Sequence, residues 1–318
     1  MTEVPQLSPG KLRGLQRSST PDGRFTILAI DHQDSMRRVM PESESSDAAL
    51  TQFKLDVVGA LQTEISGVLL DPVLSAAQAI SAGMLKHVGL LVELEKADYN
   101  LNPLPLTVEI DERWSVEKIK RMGADGVKLF FYYHPDDTAH AEKQEAIIRQ
   151  VVADCAALDI PLFAEPIIYA NPQGAQAFPR VVIESAKRIN ALGVDILKLE
   201  FPVDVRHQPD ESVWADACTE LAESVNIPWV LLSAGEDFET YARQVKIACE
   251  TGAAGYMVGR AVWGDAARIV SAAERIQWLQ SEGKRRMQTL AEIAGEHGTP
   301  WTHHYHPQHI STTWYREY

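Results

Sequence analysis

Cysteine is scarce in this chain. Cys155, Cys218 and Cys249 are the only 3 among 318 residues, and no two form a Cys-x-x-Cys pair. An odd, scattered set supplies neither a disulfide framework nor a thiolate metal site, so reduced thiols in the core or on helix faces of a cytosolic protein are expected. Positive charge is also in deficit, with 30 Lys+Arg against 44 Asp+Glu, a net charge of -14 and a pI near 5.2. That balance lacks the positive field needed for nucleic acid or an anionic membrane surface, and an anionic ligand would require a locally built positive pocket. No apolar run approaches membrane-spanning length, and the opening MTEVPQLSPGKLRGLQ lacks the apolar stretch of a secretory signal. A soluble, cytoplasmic protein is expected. Repeats of short period and low-complexity tracts are absent as well.

What is present is a steady alternation of two patterns. Apolar, β-branched or aromatic runs occur at 25–31, 67–71, 88–94, 126–133, 160–167, 195–202, 227–235 and 254–261. Amphipathic stretches such as AHAEKQEAIIRQVVADCAALD separate them. Runs that are apolar nearly throughout predict parallel strands covered on both faces. Strand–helix alternation leaves an open doubly wound sheet or a closed barrel. The eight runs fill residues 25 to 261 with no gap long enough for a linker, which favours a (β/α)8 TIM barrel. The expected organisation is one barrel domain over 1–318, with an N-terminal segment 1–23, a helix over 264–296 and a His- and aromatic-rich tail over 297–318. His303, His304, His306 and His309 in that tail have no acidic or Cys partner at ligand spacing. Packing of the tail over the barrel or a neighbouring subunit is the expected role.

In such a barrel, chemistry sits at the carboxyl ends of the strands. The polar residues found late in the runs are Asp31, Asp71, Glu93, Glu95, Lys128, Glu165, Lys198, Glu200, Ser233 and Arg260. The two-residue period puts Lys128, Phe130 and Tyr132 on one face, Phe163 with Glu165, and Lys198 with Glu200. One buried lysine beside one acid reads as a structural ion pair. Two lysines on neighbouring or near-neighbouring strands are harder to explain that way, because like charges raise each other's cost. A lysine nucleophile needs burial and a nearby cation to stay neutral, so Lys198 is the expected Schiff-base lysine and Glu165 the expected proton carrier. The stretches LLSAG (231–235) and MVGRA (257–261) put small residues where the last two strands turn, and Arg260 adds a planar cation. Together they predict a phosphate site. A Schiff-base enzyme acting on a phosphorylated ketose follows from this set.

The motifs LAID, LLDP, GLLVELEKADY, WSVEKIKRMGADGVKLFFYY, DILKLEFPV, LSAG and GRAVW, in this order over roughly 24–265, resemble those of the class I tagatose 1,6-bisphosphate aldolases. That family is related to the sulfofructose-phosphate aldolases. The resemblance implies an imine between Lys198 and the dihydroxyacetone-phosphate portion of the substrate, with Glu165 as acid/base. It further implies that Lys128 and Asp31 line the reacting centre and that Ser233, Gly235, Gly259 and Arg260 hold the 1-phosphate. No metal or other cofactor, no nucleic acid or membrane partner, and a possible homo-oligomer are implied as well. The family usually reads Asp-Gln-Arg where this chain has Asp31-His32-Gln33, and tends to a small apolar residue where Glu93 stands. The group distal to the cleaved bond is therefore left open among phosphate, sulfonate and neutral. Arg37 and Arg38 match a basic pair that either compensates or is a solvated face. His32 is a candidate hydrogen-bond partner or proton carrier. Four alternatives remain beside a lyase giving dihydroxyacetone phosphate and an aldehyde. They are a sulfofructose-phosphate aldolase, a transaldolase-type transferase of a three-carbon unit, a metal-dependent barrel lyase or isomerase using Asp31, His32, Asp71, Glu93 and Glu165, and a catalytically silent sugar-phosphate binder.

Overall fold

The computed structural model describes residues 5–96, 107–169, 174–316 and 318. Each of the eight apolar runs forms a strand: β1 (Phe25–Ala29), β2 (Gly67–Leu70), β3 (Gly89–Glu93), β4 (Gly126–Tyr133), β5 (Leu162–Ile168), β6 (Ile196–Leu199), β7 (Trp229–Leu232) and β8 (Gly255–Val258). They pair in parallel and in sequence order, and β8 pairs with β1 to close the barrel. Closure satisfies the backbone groups that an open sheet would leave at its edges. Helices between the strands start at polar side chains that accept an otherwise unbonded backbone N–H. Ser46 caps Asp47–Leu61, Asp137 caps Thr138–Ala157, Asp210 caps Glu211–Ser224 and Asp237 caps Phe238–Glu250.

Inward-facing side chains fill the barrel in layers. At the amino-terminal end Phe163 meets Phe25 edge to face, with ring centres 5.8 Å apart. Gly126 makes room for that ring: a Cβ there would come within 3.0 Å of Phe163 and 3.4 Å of Leu91. The apolar layer gives way to charged side chains toward the carboxyl end, so the polar site rests on a packed floor.

The termini close the opposite end. Helix Pro9–Ser18 presses Gly10 and Gly14 against the segments entering β5 and β4, where a Cβ on Gly14 would lie 2.2 Å from the Asp125 carbonyl oxygen. Lys11 pairs with Asp195 at 2.8 Å. The tail runs across the same rim: Trp301 donates through Nε1 to Ser19 Oγ at 2.9 Å, and the Tyr305 hydroxyl donates to the Asp195 carbonyl at 2.6 Å. His306–Pro307 then pairs in parallel with Gln6–Leu7. The tail thus packs on its own barrel. His304 faces the Asn226 carbonyl at 3.2 Å.

The helix expected over 264–296 is broken. A short turn Arg260–Trp263 ends at Gly264, Ile269 is extended, and a new helix, Ala272–Trp278, starts where Ser271 accepts from Glu274 N–H. It continues through a widened turn at Leu279–Gly283 into Lys284–His297. Ala266 and Ala267 are buried within the break, so it carries the small apolar residues of a packed helix. All three cysteines are buried and free, and burial pushes Cys218 and Cys249 up to about 12. No helix among the described residues is long and apolar enough to cross a membrane.

Candidate active site

The register of the strands decides which side chains meet. Phe163 of β5 lies beside Ile196 of β6, so Glu165 and Lys198, each two residues further on, reach the same level and both point inward. Lys198 Nζ lies 2.8 Å from Glu165 Oε1. The other oxygen of Glu165 lies 3.1 Å from Nζ of Lys128, so one carboxylate spans the two lysines. Lys128 also donates to Asp31 Oδ2 at 2.9 Å and to Glu95 Oε1 at 2.7 Å. An ammonium this deeply buried needs such partners, since leaving it unpaired is strongly unfavourable. Lys128 had been expected to act on Lys198 as a bare like charge. Enclosed by three acids, it acts instead as a fixed cation that holds Asp31 and Glu165 in place.

Burial alone would raise the Asp31 carboxyl, yet the charges of Lys128 and Lys198 outweigh it and hold Asp31 well below the usual carboxylate range. Glu95, buried beside Lys128, is raised by desolvation, which Lys128 only partly offsets. Glu200, just past the end of β6, is pushed up to about 7, first by burial and then by the negative charge of Glu165, while Ile168 N–H donates to it at 2.8 Å in opposition. His32 is driven down to about 3 by burial, against the pull of Asp31, and stands as a neutral imidazole edge-on to Trp263 with ring centres 5.2 Å apart.

Asp31, His32, Lys128, Glu165, Lys198 and Glu200 line one cavity of about 320 Å³ at the carboxyl ends of the strands. Ser233, Ala234, Gly259 and Arg260 form its wall at β7 and β8, Arg38 reaches it from the helix after β1, and Phe130, Tyr132 and Ile167 line the side of β4 and β5. The β7 end is tightly shaped. Ala234 and Gly235 both adopt left-handed backbone (φ 47° and 84°), and a Cβ on Gly235 would meet the Arg260 guanidinium at 3.0 Å. Gly259 N–H approaches Ser233 Oγ at 3.4 Å. Arg260 has no carboxylate partner among the described residues; burial, and then the like charge of Arg38, disfavour its charged form. An unpaired guanidinium beside backbone N–H groups is a site ready for an anion.

Other residues singled out from the sequence fall elsewhere. Gln33 turns away from the cavity and donates to Glu93 Oε1 at 2.6 Å. The buried Glu93 is raised well above its usual range by desolvation and by Glu95. Asp71 pairs with the fully buried Lys54 and accepts from the backbone at Val73 and Leu74. The five side chains considered as metal ligands are therefore dispersed, and no group of three or more His, Cys, Asp or Glu among the described residues is arranged to hold an ion. Arg37 is bound by Asp34 and Asp47 at the surface, whereas its neighbour Arg38 faces the cavity. Glu95 completes the Lys128 cluster without having been chosen as a site residue. Its signal was its spacing of two from Glu93, which puts it on the inward face one step beyond the strand.

Fold and site together define an aldolase-class barrel enzyme, a carbon–carbon lyase. The chain belongs to the DeoC/LacD family of aldolases, whose profile matches residues 25–265. It is 29% identical over 325 residues to the tagatose 1,6-diphosphate aldolase of Lactococcus lactis subsp. lactis, covering 93% of this chain and 98% of that protein. It is 29% identical over 318 residues to the enzyme of the same name from Staphylococcus aureus, covering 92% and 97%. Among solved structures, an archaeal fructose 1,6-bisphosphate aldolase superposes with a TM-score of 0.63 at 19% identity, over 88% of this chain and 97% of that one. The fructose-bisphosphate aldolase from Slackia heliotrinireducens gives a TM-score of 0.65 at 16% identity, over 96% and 97%.

Proposed function

We propose that this chain is a class I aldolase that cleaves a phosphorylated ketose, of the kind its tagatose 1,6-diphosphate aldolase relatives are named for, into dihydroxyacetone phosphate and an aldehyde. The observation that carries this reading is the buried Lys198–Glu165 pair at 2.8 Å, beside a cavity whose far wall holds an unpaired guanidinium. Lys198 Nζ adds to the ketone carbon once Glu165 has taken its proton. Loss of water from the carbinolamine, helped by a proton from Glu165, leaves an iminium ion. A carboxylate then removes the proton of the hydroxyl two carbons away. The bond between that hydroxyl-bearing carbon and the carbon next to the iminium breaks, its electron pair flows into the iminium, and an enamine and a free aldehyde result. Protonation of the enamine carbon and addition of water release dihydroxyacetone phosphate and restore the amine. Lys128 holds the carboxyl groups of Asp31 and Glu165 in position through these steps, and Ser233, Gly235, Gly259 and Arg260 anchor the phosphate. Asp31, 2.9 Å from Lys128 and near the neutral His32, is the second carboxylate able to receive the hydroxyl proton. The protein functions without a metal or organic cofactor.

Replacing the nucleophile tests this. Lys198→Met is expected to lower cleavage of a ketose phosphate by on the order of a thousandfold or more, measured as dihydroxyacetone phosphate released. A Lys198→Met protein that keeps full lyase activity refutes the reading.

A further inference from the structure

At the end of the barrel opposite the catalytic cavity lies a second cavity, of about 740 Å³, between helix Pro9–Ser18 and the segments that lead into β3 and β4. Gly10 and Gly14 let that helix approach the barrel closely; a Cβ on Gly10 would lie 2.4 Å from the Asp159 carbonyl oxygen. Arg13 and Arg17 follow these glycines by three residues each. One helical turn apart, both line the cavity. Lys86, before β3, and Lys120, before β4, line it as well, and Val88 and Leu90 add an apolar surface. Asp125 is the one carboxylate in this lining, and it is already engaged. Its Oδ2 accepts from Leu90 N–H at 2.9 Å, and its Oδ1 lies 3.8 Å from Arg17 Nε. Burial raises its carboxyl, while the charges of Arg17, Arg13 and Lys120 all act on it in opposition. The three cations thus converge on one point. Lys120 Nζ donates to the Asp159 carbonyl oxygen at 2.9 Å, and no ion pair or side-chain hydrogen bond engages Arg13 or Lys86 among the described residues. In a chain of net charge -14, four cations gathered round one engaged carboxylate make a local positive field suited to a multivalent anion.

We propose that this cavity binds a small molecule carrying two or more phosphate groups, at a site separate from the reacting centre. Guanidinium forks and ammonium groups spaced round one hollow meet several phosphate oxygens at once, whereas a singly charged anion would leave most of them unmet. The ligand touches the feet of β3 and β4, while Lys198 stands in the cavity at the carboxyl ends. It is therefore not the ketose that reacts, and its binding is independent of the Schiff-base reading.

Isothermal titration of the full chain with inorganic pyrophosphate, near neutral pH and at low salt, tests the proposal. A saturable site is expected that weakens as salt rises and that survives Arg260→Ser, which removes the guanidinium of the catalytic cavity. Arg13→Ser/Lys86→Ser, at two exposed positions whose replacement leaves the core untouched, should weaken this site by about tenfold or more. Lys143→Ser/Lys246→Ser removes the same charge from exposed positions on helices Thr138–Ala157 and Phe238–Glu250, and should change the affinity by less than about twofold. Absence of saturable binding overturns the proposal. So does binding that is lost in Arg260→Ser and kept in Arg13→Ser/Lys86→Ser, which places the anion in the catalytic cavity. Equal weakening by the two double substitutions also overturns it, since net charge alone would then account for the binding.

Discussion

Glu200 and Lys128 line the same cavity and meet burial differently. Lys128 has three carboxylates around it, and its charge holds Asp31 ionised. Among the described residues Glu200 accepts from one backbone N–H and has Glu165 as a neighbour, so burial lifts it to about 7 from its ordinary 4.5. For an acid whose pKa is raised by folding, the native state binds the proton more tightly than the unfolded chain. Stability then falls as pH rises between about 4.5 and about 7. In thermal unfolding of the free protein across this window, wild type should lose midpoint temperature relative to Glu200→Gln as pH increases. Parallel curves would show that Glu200 does not titrate in this range. The lysines and Glu165 were legible in the sequence because charge inside an apolar run has few uses. The split between Arg37 and Arg38 was not, because whether a residue past a strand end turns inward depends on the loop it enters. The departure at Gln33 pointed to the substrate mouth, but packing directs that side chain to Glu93.

At the scale of elements, the middle of every strand was readable from its apolar run, and the ends were not. The runs 195–202, 227–235 and 254–261 shorten to Ile196–Leu199, Trp229–Leu232 and Gly255–Val258. Their last residues leave the sheet, and Glu200, Ser233, Ala234, Gly259 and Arg260 among them line the cavity instead of pairing with a neighbouring strand. The left-handed pair Ala234–Gly235 is one such exit. The break at Gly264–Ile269 was hidden for a related reason: irregular backbone that packs inward carries the same residue types as a helix. The tail was readable only as something that packs. Its anchor is Trp301, 3% exposed and hydrogen-bonded to Ser19 at the end of the barrel opposite the cavity. Trp301→Ala should cost about 3–5 kcal/mol of unfolding free energy in urea titrations and leave kcat nearly unchanged. A loss below about 1 kcal/mol, small for a buried aromatic, would mean that the tail merely lies on the surface.

The molecule as a whole carries a net charge of -14, yet it concentrates four cationic side chains in one cavity. Barrel closure makes this possible. It brings Asp31, Lys128, Glu165, Lys198 and Arg260, each from a different strand or the loop behind it, to the same rim. The rule that barrel chemistry sits at the carboxyl ends of strands let the sequence point to this rim before any distance was known. The three-dimensional arrangement added how the charges are shared: one acid between two lysines, and one guanidinium left for the ligand. The central claim is that Lys198 becomes covalently bound to the ketone. Borohydride reduction in the presence of dihydroxyacetone phosphate, followed by peptide mass spectrometry, measures this directly. The account predicts one reduced three-carbon phosphate adduct, on the peptide bearing Lys198 and missing in Lys198→Met. No adduct, or an adduct on a different lysine, would contradict it.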